Sequence, residues 1–152
     1  MNKKFLASAL SLALLSGCAS VPMASKTESD KAKQFNAPTQ GKAGLYIYRS
    51  GGLGGALKKD VFVNNKCVGE TAPNVFFYQE VDGNQQHKVS TESEFSQNDL
   101  FLSTDAGKNY FIQQYIKMGL FVGGADLKVV NEDQGKNAVQ SLELAKKGVC
   151  SN

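Results

Sequence analysis

From Gly44 to Arg49 the chain alternates, with Leu45 and Ile47 on one side and Tyr46 and Tyr48 on the other, which is the period-two pattern of a strand. Val61-Phe62-Val63 and Lys66-Cys67-Val68-Gly69 flank Asn64-Asn65, a pair that tolerates the positive φ of a tight hairpin. Further extended runs are predicted over Asn74 to Val81 and His87 to Glu94, with Asp82-Gly83 as a turn between them. Two more follow over Asp99 to Thr104 and Asn109 to Met118, separated by Asp105-Ala106-Gly107-Lys108, and a last one over Leu127 to Val130. The period then changes. Asn131 is a good N-cap, and Val139, Leu142 and Ala145 form an apolar stripe that ends at Lys146, Lys147 and Gly148, so one closing helix is predicted, weakened in its first turn by Gly135. Seven to eight short strands and a single C-terminal helix predict a mainly β chain, an antiparallel β-sandwich of transthyretin-like or immunoglobulin-like kind over residues 42–152.

Ahead of this lies a different pattern. Lys3 and Lys4 precede an apolar stretch from Phe5 to Leu14, and small residues follow, the three parts of an export signal over residues 1–17. The apolar stretch is too short to span a bilayer. Leu15-Ser16-Gly17-Cys18 resembles the lipobox of bacterial lipoproteins, in which the cysteine sulfur receives a diacylglyceryl group, the leader is cut and the new amino terminus is acylated. The resemblance implies that Cys18 is the lipidation site and that acyl chains hold the protein to a membrane. Ala19, where inner-membrane retention would place Asp, implies the outer membrane, with the domain facing the periplasm. Residues 18–41 are rich in Ser, Thr, Lys and Gln and are expected to form a flexible tether. Within them Ser25-Lys26-Thr27-Glu28 has capping-box spacing and predicts a brief helix ending near Phe35, before Pro38.

The whole chain of 152 residues carries 17 basic and 14 acidic side chains, and loss of Lys3 and Lys4 brings these almost into balance. With no basic stripe among the aromatics, nucleic acid is not an expected partner. Once Cys18 is taken by lipid, Cys67 and Cys150 remain as an even pair in an oxidising compartment and are predicted to bridge. The competing arrangement is two free thiols with Cys67 buried.

Candidate chemistry is sparse. His87 is the single histidine, which excludes two-histidine metal motifs, and a serine triad would have to draw on it with Ser90, Asp82 or Asp105. No G-x-S-x-G elbow accompanies them. Glu92 and Glu94 share a predicted strand face and read as solvated acids rather than a glycosidase pair. Gly51-Gly52-Leu53-Gly54-Gly55, followed by Lys58 and Lys59, lacks phosphate-loop spacing and reads as an interstrand loop. No catalytic residue, metal or cofactor is expected. Gly119-Leu120-Phe121-Val122-Gly123-Gly124 is the unusual segment, because large apolar residues sit between glycines. It is expected to be a bent or bulged continuation of a core strand. The alternative is an apolar contact surface, or an edge for strand addition, in which Leu120, Phe121 and Val122 join Leu53.

Phe35, Pro38, Gly41-Lys42-Ala43 leading into Leu45-Tyr46-Ile47-Tyr48-Arg49, the hairpin with Val68-Gly69, and Gly83 shortly before His87-Lys88-Val89 resemble a family of proteobacterial lipoproteins, domain of unknown function twenty-eight forty-six. The resemblance covers about Phe35 to Val130 and carries no established catalytic residues. The hairpin is also similar to those of small sandwich modules of surface-attached proteins, with Asn65 in place of the usual Gly. Together these features predict a non-enzymatic envelope lipoprotein that binds or scaffolds an envelope protein. A structural subunit of a secretion or envelope-spanning machine is the second expectation, because the small transthyretin-like lipoproteins of type VI secretion are similar in size and architecture. A small envelope hydrolase, which would need His87, is the third.

Overall fold

The computed structural model describes residues 20–151; Cys18 and the export signal lie outside the described residues. In chain order the elements are α1 (Lys26–Ala32), β1 (Lys42–Arg49), β2 (Lys59–Val63), β3 (Lys66–Thr71), β4 (Val75–Asp82), β5 (Gln85–Glu92), β6 (Gln97–Thr104), β7 (Asn109–Lys117), β8 (Gly124–Val130), α2 (Glu132–Gln140) and β9 (Glu143–Leu144). They build two sheets, ordered β8-β7-β1-β4-β9 and β3-β2-β5-β6.

β1 is the centre of the larger sheet, and its alternation is buried on both faces. Ala43, Leu45 and Ile47 join Val61, Val63, Val89 and Ile112 in a core shared by the two sheets. Tyr46 and Tyr48 enter a second cluster with Phe76, Phe111, Val139 and Leu142, packed by residues of both helices. A strand covered on both sides must be apolar in both halves of its pattern, as this one is.

The larger sheet is mixed, not antiparallel as expected. β1 pairs antiparallel with β4, from Lys42↔Asp82 to Arg49↔Val75, but parallel with β7, and β9 runs parallel to β4. The chain leaves this sheet after β1 to build β2 and β3, returns as β4, and leaves again for β5 and β6. It therefore comes back as β7 in the same direction as β1.

Two expectations fail at the chain ends. Residues 22–41 are not a free tether. Met23 bridges Ala145, Ala24 N–H donates to the Leu144 carbonyl at 2.9 Å, and Lys146 N–H donates to Pro22 O at 2.8 Å. The capping box at Ser25 forms as predicted, and α1 then lies on β9, with buried Ser29 donating to Glu143 at 2.8 Å. Phe35 packs edge-on against Tyr46 and Phe111, and Pro38 is buried. The apolar residues here are few, but each is used, so composition underestimates the order. At the other end α2 keeps its Asn131 cap, which accepts from Gln134 N–H at 2.8 Å, but ends at Gln140. Leu142, in the bend after α2, and Ala145, just past β9, still reach the interior, with β9 paired to β4 between them.

Cys67 and Cys150 form a disulfide with Cα atoms 6.1 Å apart. It holds the C-terminal segment along the outer edge of β3, where Gly148 N–H donates to Val68 O and Glu70 N–H donates to Val149 O, both at 2.8 Å. Ser151 N–H and Oγ donate to buried Asp60 beyond it.

The registers place the connections at two opposite ends. One end gathers the tight turns: Asn64-Asn65 (φ 50° and 63°), Gly83-Asn84 and Asp105 to Lys108. These are cross-tied, Gly83 N–H to Gly41 O at 2.9 Å and Gly107 N–H to Lys42 O at 2.7 Å. The other end carries the loops 50–58, 72–74, 93–96 and 118–123.

Candidate functional site

The loop end is built by two charged side chains from strand ends. Arg49, the last residue of β1, is almost wholly buried, and its guanidinium donates to Leu57 O and Gly54 O, each at 2.6 Å. A cation in that position pins the loop after β1 by its own carbonyls, and burial lowers its pKa from the ordinary arginine value. Glu94, just after β5, does the same for the loop after β7. Its carboxylate accepts from Leu120 N–H at 2.5 Å, from Phe121 N–H, and from Val122 N–H at 3.0 Å. Desolvation opposes its ionisation, yet the three donors outweigh that and hold the carboxyl below the ordinary glutamate value of 4.5. A Cβ on Gly119 would overlap the Val122 carbonyl oxygen, so this turn closes only with glycine.

With their backbones fixed, these loops turn their large side chains outward. Leu120, Phe121 and Val122 are exposed, Phe121 to 81%, with Met118 beside them at 84%. Leu53 from the loop after β1 and Phe95 from the loop after β5 are exposed as well. The segment 119–124 is thus no continuation of a core strand; β7 stops at Lys117, and β8 starts at Gly124. The loops meet at one tip: a Cβ on Gly54 would touch Ile116, one on Gly123 would touch Leu57, and one on Gly124 would touch Ser93. The lysines flanking them are committed to acids, Lys58 to Glu70 at 2.9 Å, Lys59 to Glu92 at 3.2 Å and Lys117 to Asp126 at 3.0 Å.

The residues considered for catalysis do not converge. His87 is buried at the turn end, with Nδ1 2.9 Å from Asn64 Nδ2 and Nε2 2.7 Å from the Asp82 carbonyl. Asn64 Oδ1 accepts from Lys88 N–H, so its amide nitrogen faces the ring; Nδ1 accepts and Nε2–H donates. Both ring nitrogens are spent on tying turns together. The Asp82 carboxylate pairs instead with Lys42 at 2.5 Å, and Asp105 pairs with Lys108 at 2.7 Å. Ser90 is buried with its hydroxyl unpartnered. Among the described residues no group of His, Cys, Asp and Glu is placed to hold a metal, and no helix is long and apolar enough to cross a membrane. A groove of about 710 Å³ between α1 and β4 has Tyr46 and Tyr78 in its lining, but their hydroxyls donate to Ala32 O and Glu80 inside the fold. The tip is the feature whose exposure the fold itself does not explain.

Residues 39–125 match the model of a family described as "Protein of unknown function (DUF2846)". The chain belongs to this family. The matched span contains all three apolar loops of the tip and leaves out both helices and Cys150. An uncharacterized protein of Haemophilus influenzae is 56% identical over 132 residues, 87% of this chain and 78% of that protein. No solved structure matches.

Proposed function

We propose that this family member is a non-enzymatic outer-membrane lipoprotein, held by acyl chains on Cys18, whose domain binds or scaffolds an envelope protein through the loop-end tip. In this reading the two sheets form a β-sandwich of the transthyretin-like or immunoglobulin-like kind. The observation that carries it is the tip: six large apolar side chains held outward on loops whose backbones Arg49 and Glu94 fix from beneath. Large apolar side chains exposed together at one end of a domain mark an interaction site. The Leu15-Ser16-Gly17-Cys18 stretch supplies the location. The engagement of His87, Asp82 and Asp105 in structural contacts favours binding over hydrolysis.

Mass spectrometry of the protein purified from its envelope is expected to find an acylated Cys18 as the first residue, and Cys18→Ser is expected to move the protein out of the outer-membrane fraction. A photo-crosslinking amino acid at Val122 in intact cells is expected to trap protein, whereas one at Asn65, at the opposite end, traps none. Unchanged fractionation of Cys18→Ser, or a tip that crosslinks no more than Asn65, would falsify the reading.

A further inference from the structure

We infer that the free edge of β6 is a dimer contact, to which β6 of a second copy of this chain adds antiparallel about a two-fold axis through Phe101. That pairing is independent of the tip.

Among the described residues the chain manages three of its sheet edges itself. β9 is covered by residues 22–24, and β3 by the C-terminal segment that the Cys67–Cys150 bridge ties down. At β8, Asn98 Nδ2 donates to Ala125 O at 2.6 Å, and Leu127 N–H donates to the Asp126 side chain at 2.9 Å. β6 is the bare edge: it pairs with β5 over an unbroken register from Gln97 to Thr104, and no strand lies on its other side. Ser93 N–H donates to Ser96 O at 3.0 Å and Asn64 N–H to Lys88 O at 2.8 Å, which fixes the phase of the ladder. Even-numbered residues of β6 exchange their bonds with β5, so Asp99, Phe101 and Ser103 turn N–H and C=O outward. Proline, lysine and bulges guard the edges of monomeric proteins, and β6 has none of them. Its single charge, Asp99, is paired with Lys88 of β5 at 3.7 Å.

What identifies the second copy is that β6 is its own complement, as an isologous contact requires. Opposed residues of antiparallel strands share a face, so a two-fold through Phe101 sets Phe101 against Phe101 of the second copy, on the outer face where the ring is 61% exposed. On the inner face Leu100 meets Leu102 of the second copy, and both already pack against the core between the sheets. Asp99 meets Ser103, and the two Asp99 carboxylates stand four residues apart along the strands, about 13 Å, beyond the ~8 Å Debye length. The outward backbone groups of Asp99, Phe101 and Ser103 then satisfy one another. A two-fold through Asp99 would instead set like charges directly opposite.

The test uses the full chain in its own envelope. Two copies with different tags are coexpressed, one carrying a photo-crosslinking aromatic residue in place of Phe101, and the adducts are sequenced by mass spectrometry. The expected product is a covalent homodimer joining position 101 to residues 99–103 of the other copy. Sedimentation of the detergent-solubilised protein reads the dissociation constant. Ser103→Asp, which sets an acid opposite Asp99 at both ends of the contact, is expected to raise it roughly fivefold, and Ser103→Lys to lower it by a similar factor. Ser103 is exposed and its backbone bonds face away from β5, so shifts of opposite sign report the pairing and not the fold. Ser103→Pro removes an outward N–H and is expected to abolish the dimer; if that variant unfolds, the two charge variants decide. Leu120→Ser with Phe121→Ser is expected to leave the dimer intact, which separates this contact from the tip. Adducts with lipid alone or with a different protein alone, a protein that stays monomeric at every concentration, charge variants that shift the constant the same way, or a dimer lost with the tip variant would overturn the inference.

Discussion

Glu94 is one residue on which the tip depends, and its protonation state makes that dependence measurable. Its carboxyl titrates below the ordinary glutamate value in the folded protein, because ionised oxygens accept three backbone N–H bonds. In the acid range the folded state therefore binds fewer protons than the unfolded one, and the contribution to order is complete above the unfolded value and lost as pH falls through the lower folded value. Amide chemical shifts of Leu120, Phe121 and Val122 followed from pH 6 to pH 2 are expected to move together below pH 4.5, and Glu94→Gln is expected to abolish that transition. Amides that titrate independently, or that titrate in the variant, would count against the assignment. Neither Glu94 nor Arg49 was legible as an organiser. Each sits at the end of a strand, where a charge normally meets water, and the partners that use it are backbone groups of distant loops. No side-chain pattern in the sequence marks such partners.

At the scale of elements the strands were largely legible, because Leu45, Ile47, Val61, Val63 and Val89 alternate with residues of the other face and Asn64-Asn65 and Asp82-Gly83 separate the runs. The turn end was legible for the same reason: Asn64 and Asn65 both take positive φ, as the sequence suggested. What period alone could not tell is whether a sparse apolar segment finds a surface. Val21, Ala32 and Phe35 are too few for a core of their own and pack against clusters supplied by the sheets. The same ambiguity misled in reverse at 118–122, where an apolar run is exposed. Gly135 is a further case, weak by propensity but required by packing. Its Cβ would overlap the ring of Phe111, itself buried in the second cluster. Gly135→Ala is expected to lower stability by about 1–3 kcal/mol despite the gain in helix propensity, since overpacking outweighs it. Adding Phe111→Leu should recover part of that loss; thermal melts of the single and double variants decide.

For the molecule as a whole, the disulfide joins β3 to a segment 83 residues later and so closes most of the domain into one loop. In the chain-entropy model a closure of that length is worth about 4.5 kcal/mol, before any loss to strain or residual structure. Reduction, or Cys67→Ser with Cys150→Ser, is expected to lower stability by about 2–5 kcal/mol. Hydrogen exchange should then accelerate first at Gly148 and Glu70, whose bonds hold the C-terminal segment to β3, and last in β1. Equal acceleration throughout would show that the bridge supports the core rather than its edge.

The docking of residues 22–24 along β9 decides how the domain responds to traction. Met23 pairs antiparallel with Ala145, and β9 runs with β4 toward the turn end, so the chain traced back from Ala24 to Pro22 heads away from the tip. Force on the N terminus therefore pulls along the strand axis, across bonds that lie perpendicular to it, and loads them together in shear instead of peeling them one by one. The pull swings the turn end toward its source and leaves the apolar loops pointing the other way.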